Sequence, residues 1–187
     1  PHHRDLYFSC VLKRKRVLIA IEPPTVDPLT YHPEFLRKFT KIFTWDNNLV
    51  DGKKFHKIFH SVLKPMIHNR VSFMDKKFSC MVFGNKSSNY ELELYSLRKR
   101  IIQFFSDKPI LFDLYGVGWP ENTSNYLGPI ASKVDAVKNY KFSFAMENTS
   151  GLSGYMTEKI WDVFHAGTIP IYWGDSDVEK EVPADCF

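Results

Sequence analysis

Apolar and polar positions along this chain switch repeatedly between a strand-like and a helix-like period. Residues 16–21 (RVLIAI) form a short apolar run ending at Glu22 and the pair Pro23-Pro24. Proline donates nothing to a ladder and cannot continue a central strand, so the run predicts a short buried strand followed by a turn. Residues 32–38 predict a short helix with Pro33 in its first turn and Phe35, Leu36 and Phe39 as its apolar side. Residues 41–45 (KIFTW) predict the next strand, with turns at Asp46-Asn47-Asn48 and Asp51-Gly52. Residues 53–77, with Pro65 inside, keep no period and are expected to be irregular and to contain a hinge.

A second series starts at residues 78–83 (FSCMVF), read as a strand. Across residues 89–105, Leu94, Leu97, Ile101, Phe104 and Phe105 recur at helical spacing, predicting the longest helix. On it Arg100 aligns with Glu93, Ser96 and Gln103 on the solvated side, whereas Arg98 borders the apolar stripe. Residues 110–115 (ILFDLY) predict a strand closed by Gly116-Val117-Gly118, and Ser132-x-x-Asp135 resembles a capping box opening a short helix. Phe142, Phe144 and Met146 alternate as in a strand, and a loop rich in Asn, Ser and Gly follows. Met156, Ile160, Val163 and Phe164 then fall at i, i+4, i+7 and i+8, with Gly167 where a left-handed C-terminal residue belongs. Tyr155, Glu158, Lys159 and Asp162 occupy another face, and residues 168–173 predict a closing parallel strand. The alternation β, α, β, α, β, α, β is that of a doubly wound parallel sheet. Ligands bind such sheets at the carboxyl ends of the strands, which turns residues 147–154 and the start of the following helix toward the site.

Composition adds a class and a charge. The chain has 187 residues, 44% of them hydrophobic and 16% aromatic, enough for a substantial core. The net charge of +4 is spread in short clusters such as residues 13–16. It suits an anionic ligand and would also suit weak nucleic-acid binding, but no nucleic-acid motif accompanies it, and nucleic acid is not an expected partner. Cys10, Cys80 and Cys186 have no metal or redox spacing, and their odd number argues against a disulfide framework, although one pair remains open. The apolar run at residues 17–21 is far below the roughly 20 residues a bilayer span needs. Both ends read as cut, so membrane association is expected only through segments absent from this chain. Asn-x-Ser/Thr triplets at Asn85, Asn122 and Asn148 carry no inference of secretion.

The chemistry concentrates in residues 141–175. Small residues let backbone amides approach a ligand, the positive end of the helix dipole favours phosphate, and Lys159 adds a cation. Tyr155, Glu158 and Lys159 lie at i, i+3 and i+4, so all three can point at one ligand. The wording is also specific. Lys141, Phe142, Phe144, Glu147, Asn148, Tyr155, Thr157, Glu158, Lys159, Ile160, Pro170 and Ile171 match, in order, a motif K-F-x-[LIF]-x-F-E-N-S, loop, Y-[VI]-T-E-K-[IL], then P-[VI]. That pattern resembles the donor-binding motif of the α-1,3/1,4-fucosyltransferases. Met146 stands where the family has Phe, Thr149 where it has Ser, and the loop to Tyr155 is about one residue longer.

The resemblance implies an α/β fold of two Rossmann-like domains facing a cleft, of the GT-B type. Residues 1–76 would be part of the acceptor-side domain, and residues 77–187 a nearly complete nucleotide-sugar domain, truncated at its end. It implies inverting transfer of L-fucose from GDP-fucose to a hydroxyl of N-acetylglucosamine or glucose in a glycan acceptor. Glu147, Asn148, Tyr155 and Lys159 would bind the donor, with Arg98 rather than Arg100 reaching the diphosphate, and Glu158 would serve the fucose. Glu22, at the carboxyl end of a buried strand and aimed by two prolines, corresponds to the family's proposed general base. No metal or other cofactor is expected to be required, since Arg98, Lys159 and helix amides can neutralise the departing diphosphate. Asp175-Ser176-Asp177 has the D-x-D form of a metal site on nucleotide-sugars, but its place in a turn after a strand favours a structural role. Another nucleotide-sugar on the same fold, or an inactive sugar- or nucleotide-binding fragment, stays open as an alternative.

Overall fold

A computed structural model describes residues 6–10, 15–60 and 70–187 and resolves them into two four-stranded sheets. The first contains β1 (Leu6–Cys10), β2 (Lys15–Ala20), β3 (Lys41–Thr44) and β4 (Phe55–Lys57), in that order, with β1 antiparallel to β2 and the other pairs parallel. The single-turn helix α1 (Pro33–Leu36) makes the crossover between β2 and β3. Its Phe35 and Leu36 pack on a core of Leu18, Ala20, Phe39 and Ile42. Two strands here were not expected. β4 lies inside the stretch read as irregular, because three residues are too few for a period of two to register. It forms by parallel pairing, Ile42 against Phe55 and Thr44 against Lys57. The hinge expected around Pro65 falls on residues 61–69, outside the described residues.

The second sheet is wholly parallel, built from β5 (Lys77–Val82), β6 (Phe112–Tyr115), β7 (Tyr140–Met146) and β8 (Ile169–Trp173), with the order β6-β5-β7-β8. Its crossovers are α2 (Tyr95–Phe104), α3 (Lys133–Val137) and α4 (Glu158–His165). Side-chain alternation along the strands feeds two cores. Met81, Phe83, Leu114, Phe144 and Met146 pack with Leu94 and Ile102 on the α2 side, whereas Cys80 and Ala145 pack with Val137, Ile160 and Val163 on the other. Because the chain leaves β5 first to one side and later returns to the other, the order reverses between β5 and β7. The crevice at the carboxyl ends of those two strands is where a doubly wound sheet binds ligands.

Several boundaries move. The helix expected from residue 89 starts at Tyr95, because residues 89–94 are held as an extended turn: Glu93 bridges Thr149, and the Leu94 amide donates to the Asn148 carbonyl at 3.1 Å. Within α2 it is Ile102 that enters the core, while Phe104 stays 64% exposed. α4 begins at Glu158, so Tyr155 and Met156 lie in the preceding turn and the expected i, i+3, i+4 alignment with Glu158 and Lys159 is not a helical one. Gly167 does end that helix in the left-handed region, at φ 65°. The glycine turn after β6 is needed for packing, since a Cβ on Gly116 would lie 2.0 Å from the Phe83 carbonyl oxygen.

Side chains and backbone from both sheets meet. Trp45, following β3, packs its ring 4.7 Å from that of Tyr155, the Asn47 amide donates to the Ser153 carbonyl at 3.1 Å, and the Ser88 hydroxyl donates to the Thr25 carbonyl at 3.1 Å. Cys80 and Cys186 are free thiols, Cys80 buried. Among the described residues no helix is long and apolar enough to cross a membrane. One test follows from the boundary of β6. Leu114 is fully buried and Ile110, in the segment read as the same strand, is 89% exposed. Leu114→Ala should lower the unfolding free energy by about 2–5 kcal/mol and Ile110→Ala by less than about 0.5 kcal/mol, measured by urea denaturation; equal effects would contradict this boundary.

Candidate active site

The site is built where β5 and β7 end. Arg98, on the first turns of α2, is only 3% exposed. Its Nη2 donates to the carbonyls of Met146 at 2.9 Å and Glu147 at 2.6 Å and to Asn148 Oδ1 at 3.3 Å. Its guanidinium carbon lies 3.9 Å from the Phe83 ring centroid and 5.0 Å from that of Tyr95. Burial lowers the Arg98 pKa to about 10, so the group remains charged at neutral pH. Its Nε is buried with no hydrogen-bond partner. Arg100, two residues on, is exposed, as the helical pattern requires.

Glu147 follows β7 and is 0% exposed. Its carboxylate accepts from the Thr157 amide at 2.8 Å and the Thr157 hydroxyl at 2.8 Å, and pairs with Lys159 Nζ at 3.0 Å. Glycine is required beside it, since a Cβ on Gly174 would sit 2.4 Å from Glu147 Cγ. Glu147 therefore lies behind the site, holding the start of α4, rather than on a ligand-facing surface. Lys159 also donates to the Thr157 hydroxyl at 2.8 Å and stands 3.5 Å from Glu158 Oε1. Burial opposes its charge, but Glu147 and Glu158 outweigh that and hold the ammonium above its ordinary pKa. The Glu158 side chain is 51% exposed. Burial pulls its pKa upward, yet Lys159, its own backbone amide and Lys133 hold the carboxyl below its usual range.

Asn148 is half-buried and tied to Arg98. Tyr155 is 2% exposed, its ring wedged between Trp45 and His60, at 4.7 and 5.9 Å. Its phenol pKa is raised first by burial, then by Glu147, Glu22 and Glu158. Glu22 likewise raises Tyr95. Glu22, beyond β2, is thus near enough to both phenols to act on them. Of the seven residues the sequence singled out, Arg98 bonds Asn148 and the Glu147 carbonyl, Lys159 pairs with Glu147 and Glu158, Tyr155 is buried against Trp45, and Glu22 lies just beyond β2.

Two neighbours were not anticipated. Lys133, the first residue of α3, pairs with buried Asp162 at 3.5 Å and lies 5.9 Å from the Phe83 ring. His60, beyond β4, is held below its ordinary pKa by burial, against the pull of Glu158. Neither stands in a motif, and only the crossover order brings Lys133 beside α4. The D-x-D carboxylates have structural partners. Asp175 Oδ1 accepts from the amides of Gly154 and Asp177, both at 2.9 Å, and Asp177 accepts from the Ser153 hydroxyl and pairs with Lys180 at 3.0 Å.

Comparison with known proteins agrees with this geometry. The sequence model described as glycosyltransferase family 10 (fucosyltransferase), C-terminal, matches residues 75–187. The chain is 31% identical over 145 residues to the α-(1,3)-fucosyltransferase FucT of Helicobacter pylori, a match covering 76% of this chain and 28% of that protein. It is 44% identical over 48 residues to an α-(1,4)-fucosyltransferase of Arabidopsis thaliana, covering 26% of this chain and 12% of the relative. A crystal structure of an α1,3-fucosyltransferase with GDP-fucose superposes with a TM-score of 0.61 at 22% identity, over 95% of this chain and 58% of that one. Another α1,3-fucosyltransferase structure gives 0.61 at 19%, over 89% and 52%. At these identities the structural likeness shows a shared α/β fold with parallel sheets. The chain spans between about an eighth and three fifths of the length of these relatives.

The buried ion pair makes its own prediction. Glu147→Gln leaves the Lys159 ammonium without its compensating charge and should cost about 3–5 kcal/mol in unfolding free energy. Because the folded pKa of Lys159 lies above its ordinary 10.5, the pair's contribution is complete below that pH and is lost as pH rises through the folded value. An alkaline melting series should therefore fall more steeply for the parent than for Lys159→Met. Parallel curves would show that the pair is not coupled to folding.

Proposed function

The chain belongs to glycosyltransferase family 10, the fucosyltransferases, and from that footing we propose that it carries the donor side of an α-1,3/1,4-fucosyltransferase. The reaction is inverting transfer of L-fucose from GDP-fucose to a hydroxyl of an N-acetylglucosamine or glucose unit in a glycan acceptor. The carrying observation is the crevice at the ends of β5 and β7, where a buried arginine keeps one N–H without a partner. An unpaired buried donor on a charged group is costly, and a phosphate oxygen is the acceptor that best satisfies it. Arg98 and Lys159 hold the diphosphate, with the first amides of α4 adding the positive end of its dipole. Glu158, the exposed carboxylate of the cluster, takes the fucose hydroxyls and steadies the positive charge that develops on the sugar ring. Asn148 orients Arg98, and Glu147 and Tyr155 position this group without touching the donor.

In the proposed step the acceptor oxygen attacks the anomeric carbon from the face opposite the diphosphate. The carbon–oxygen bond to the β-phosphate breaks, its electron pair leaves with GDP, and Glu22 takes the hydroxyl proton. Glu22 suits this role because it follows a strand of the opposite sheet and acts electrostatically on Tyr95 and Tyr155. The two sheets then belong to two Rossmann-like domains of a GT-B enzyme, with the acceptor entering between them. Charge neutralisation by protein cations makes a divalent ion dispensable. The direct test is incubation with labelled GDP-fucose and a panel of lactose and N-acetyllactosamine acceptors, with and without EDTA. Transfer at a rate unchanged within about twofold by chelation is expected, together with binding of GDP in preference to UDP by calorimetry. Tighter binding of UDP would turn the reading toward another nucleotide-sugar.

Two variants separate the carboxylates. Glu22→Gln should keep GDP-fucose affinity and lose about 100-fold or more in transfer rate, the scale of general-base catalysis. Glu158→Gln should lower turnover more than GDP affinity, because GDP lacks the sugar that Glu158 serves. Transfer by Glu22→Gln within a few-fold of the parent would remove it as the base.

A further inference from the structure

Lys133 has no part in the proposed transfer, yet it stands where a departing diphosphate needs a cation. It is the first residue of α3, where the chain turns back after the carboxyl end of β6. That places it at the same end of the sheet as Phe83, the residue that follows β5. Its Nζ lies 5.9 Å from the centroid of the Phe83 ring, and the Arg98 guanidinium carbon lies 3.9 Å from the same centroid. The two cations come from opposite faces of the sheet, because α2 packs with Leu114 and Phe144 and α3 with Cys80 and Ala145. They approach one ring, at the point where the strand order reverses and a doubly wound sheet takes its ligand.

Lys133 also reaches the helix that carries the carboxylate assigned to the sugar. Its one ion pair among the described residues is with Asp162, at 3.5 Å. Asp162 follows Glu158 by four residues and so shares its face of α4. Lys133 is the least occupied of the three cations. Arg98 donates to two backbone carbonyls and to Asn148, and Lys159 donates to the Thr157 hydroxyl besides pairing with Glu147 at 3.0 Å. The pair with Asp162, at 3.5 Å, is longer than the roughly 2.7–2.9 Å of a charge-assisted hydrogen bond. The Lys133 side chain is 23% exposed against 11% for Lys159. Helix stability does not explain its place, since a cation at the amino end opposes the helix dipole. Burial first lowers its pKa, with Lys159 adding to the fall and Asp162 and Glu158 opposing it. An ammonium short of counter-charge gains from a phosphate oxygen, and a four-carbon stem lets it move to meet one.

We propose that Lys133 binds a phosphate of the sugar nucleotide, exchanging Asp162 for it when the donor arrives, so that cations from both faces of the sheet hold the diphosphate. This role rests on the reading of the crevice as a donor site. The test is GDP affinity by calorimetry in Lys133→Met, Lys133→Arg, Asp162→Asn and the double variant Lys133→Met/Asp162→Asn, with a thermal melt of each. Lys133→Met should weaken GDP about tenfold or more, the scale of one charge-assisted contact, and Lys133→Arg, which keeps the charge, by less than about threefold. Asp162→Asn, which frees the ammonium from its carboxylate, should tighten GDP by about threefold, a gain that the double variant loses. A pair that only ties α3 to α4 behaves otherwise: both single variants weaken GDP alike and the double variant is no worse than either. That pattern, or a change within about twofold in Lys133→Met, would overturn the assignment. If Lys133→Met does not fold, the step from Asp162→Asn to the double variant reads the same contact, since neither carries a lone buried carboxylate, and a change within about twofold there is equally fatal. A parent that binds no GDP would sink the donor site and this role with it, whereas GDP binding indifferent to Lys133 would leave the donor site standing.

Discussion

A carboxylate with no access to water, Glu147, joins the end of β7 to the start of α4. Its two oxygens are used by the Thr157 amide, the Thr157 hydroxyl and the Lys159 ammonium. A charge so placed is tolerable only when fully paired, since removing an ion from water costs several kcal/mol after relaxation. That requirement fixes much else. Gly174 must lack a side chain to admit the Glu147 stem, and the Met146 and Glu147 carbonyls, freed at the strand end, are taken up by Arg98. The cation cluster is thereby organised before any ligand arrives, which is how a protein avoids reorganisation at the moment of reaction.

Charges around this crevice alternate instead of accumulating. Arg98, Lys133 and Lys159 stand among Glu147, Glu158 and Asp162, so the strong positive potential expected of a diphosphate site is largely balanced in the ligand-free protein. Glu147 and Asp162 are buried, whereas Glu158 is half exposed. Of these three carboxylates Glu158 is the one that reaches the surface, and the partners of the buried cations lie behind them. The mild net charge of +4 reflects this local pairing more than a basic surface.

The contact between the sheets rests on a second polar network. Gly154, at φ 89°, has no room for a Cβ, which would lie 2.3 Å from the Trp45 carbonyl oxygen and 2.5 Å from Lys57 Nζ. Asp175 accepts from its amide, and Asn47 donates to the carbonyl and the hydroxyl of the neighbouring Ser153. The loop between β7 and α4 is thus clamped between the first sheet and the turn after β8. That explains why the aromatic ring of Tyr155, one residue on, packs on Trp45 instead of standing free at the site.

Much of this was legible from periodicity. The strands from β2 onward, apart from three-residue β4, the parallel order of the second sheet and the glycine ending α4 all have local signals, and the spacing in residues 141–175 pointed to the family. The burial of Arg98 and the exposure of Arg100 also followed from helical register, because burial on a helix is set by neighbours three and four residues away. The tertiary structure decided what register cannot. Whether a polar side chain faces ligand or holds the scaffold depends on partners distant in sequence: Glu147 and Tyr155 match the motif as fully as Glu158 does, yet they are buried by Gly174, Trp45 and His60. Lys133 and His60 enter the site only because crossovers lay α3 against α4 and bring β4 to its edge, and a chain reveals such meetings only once folded.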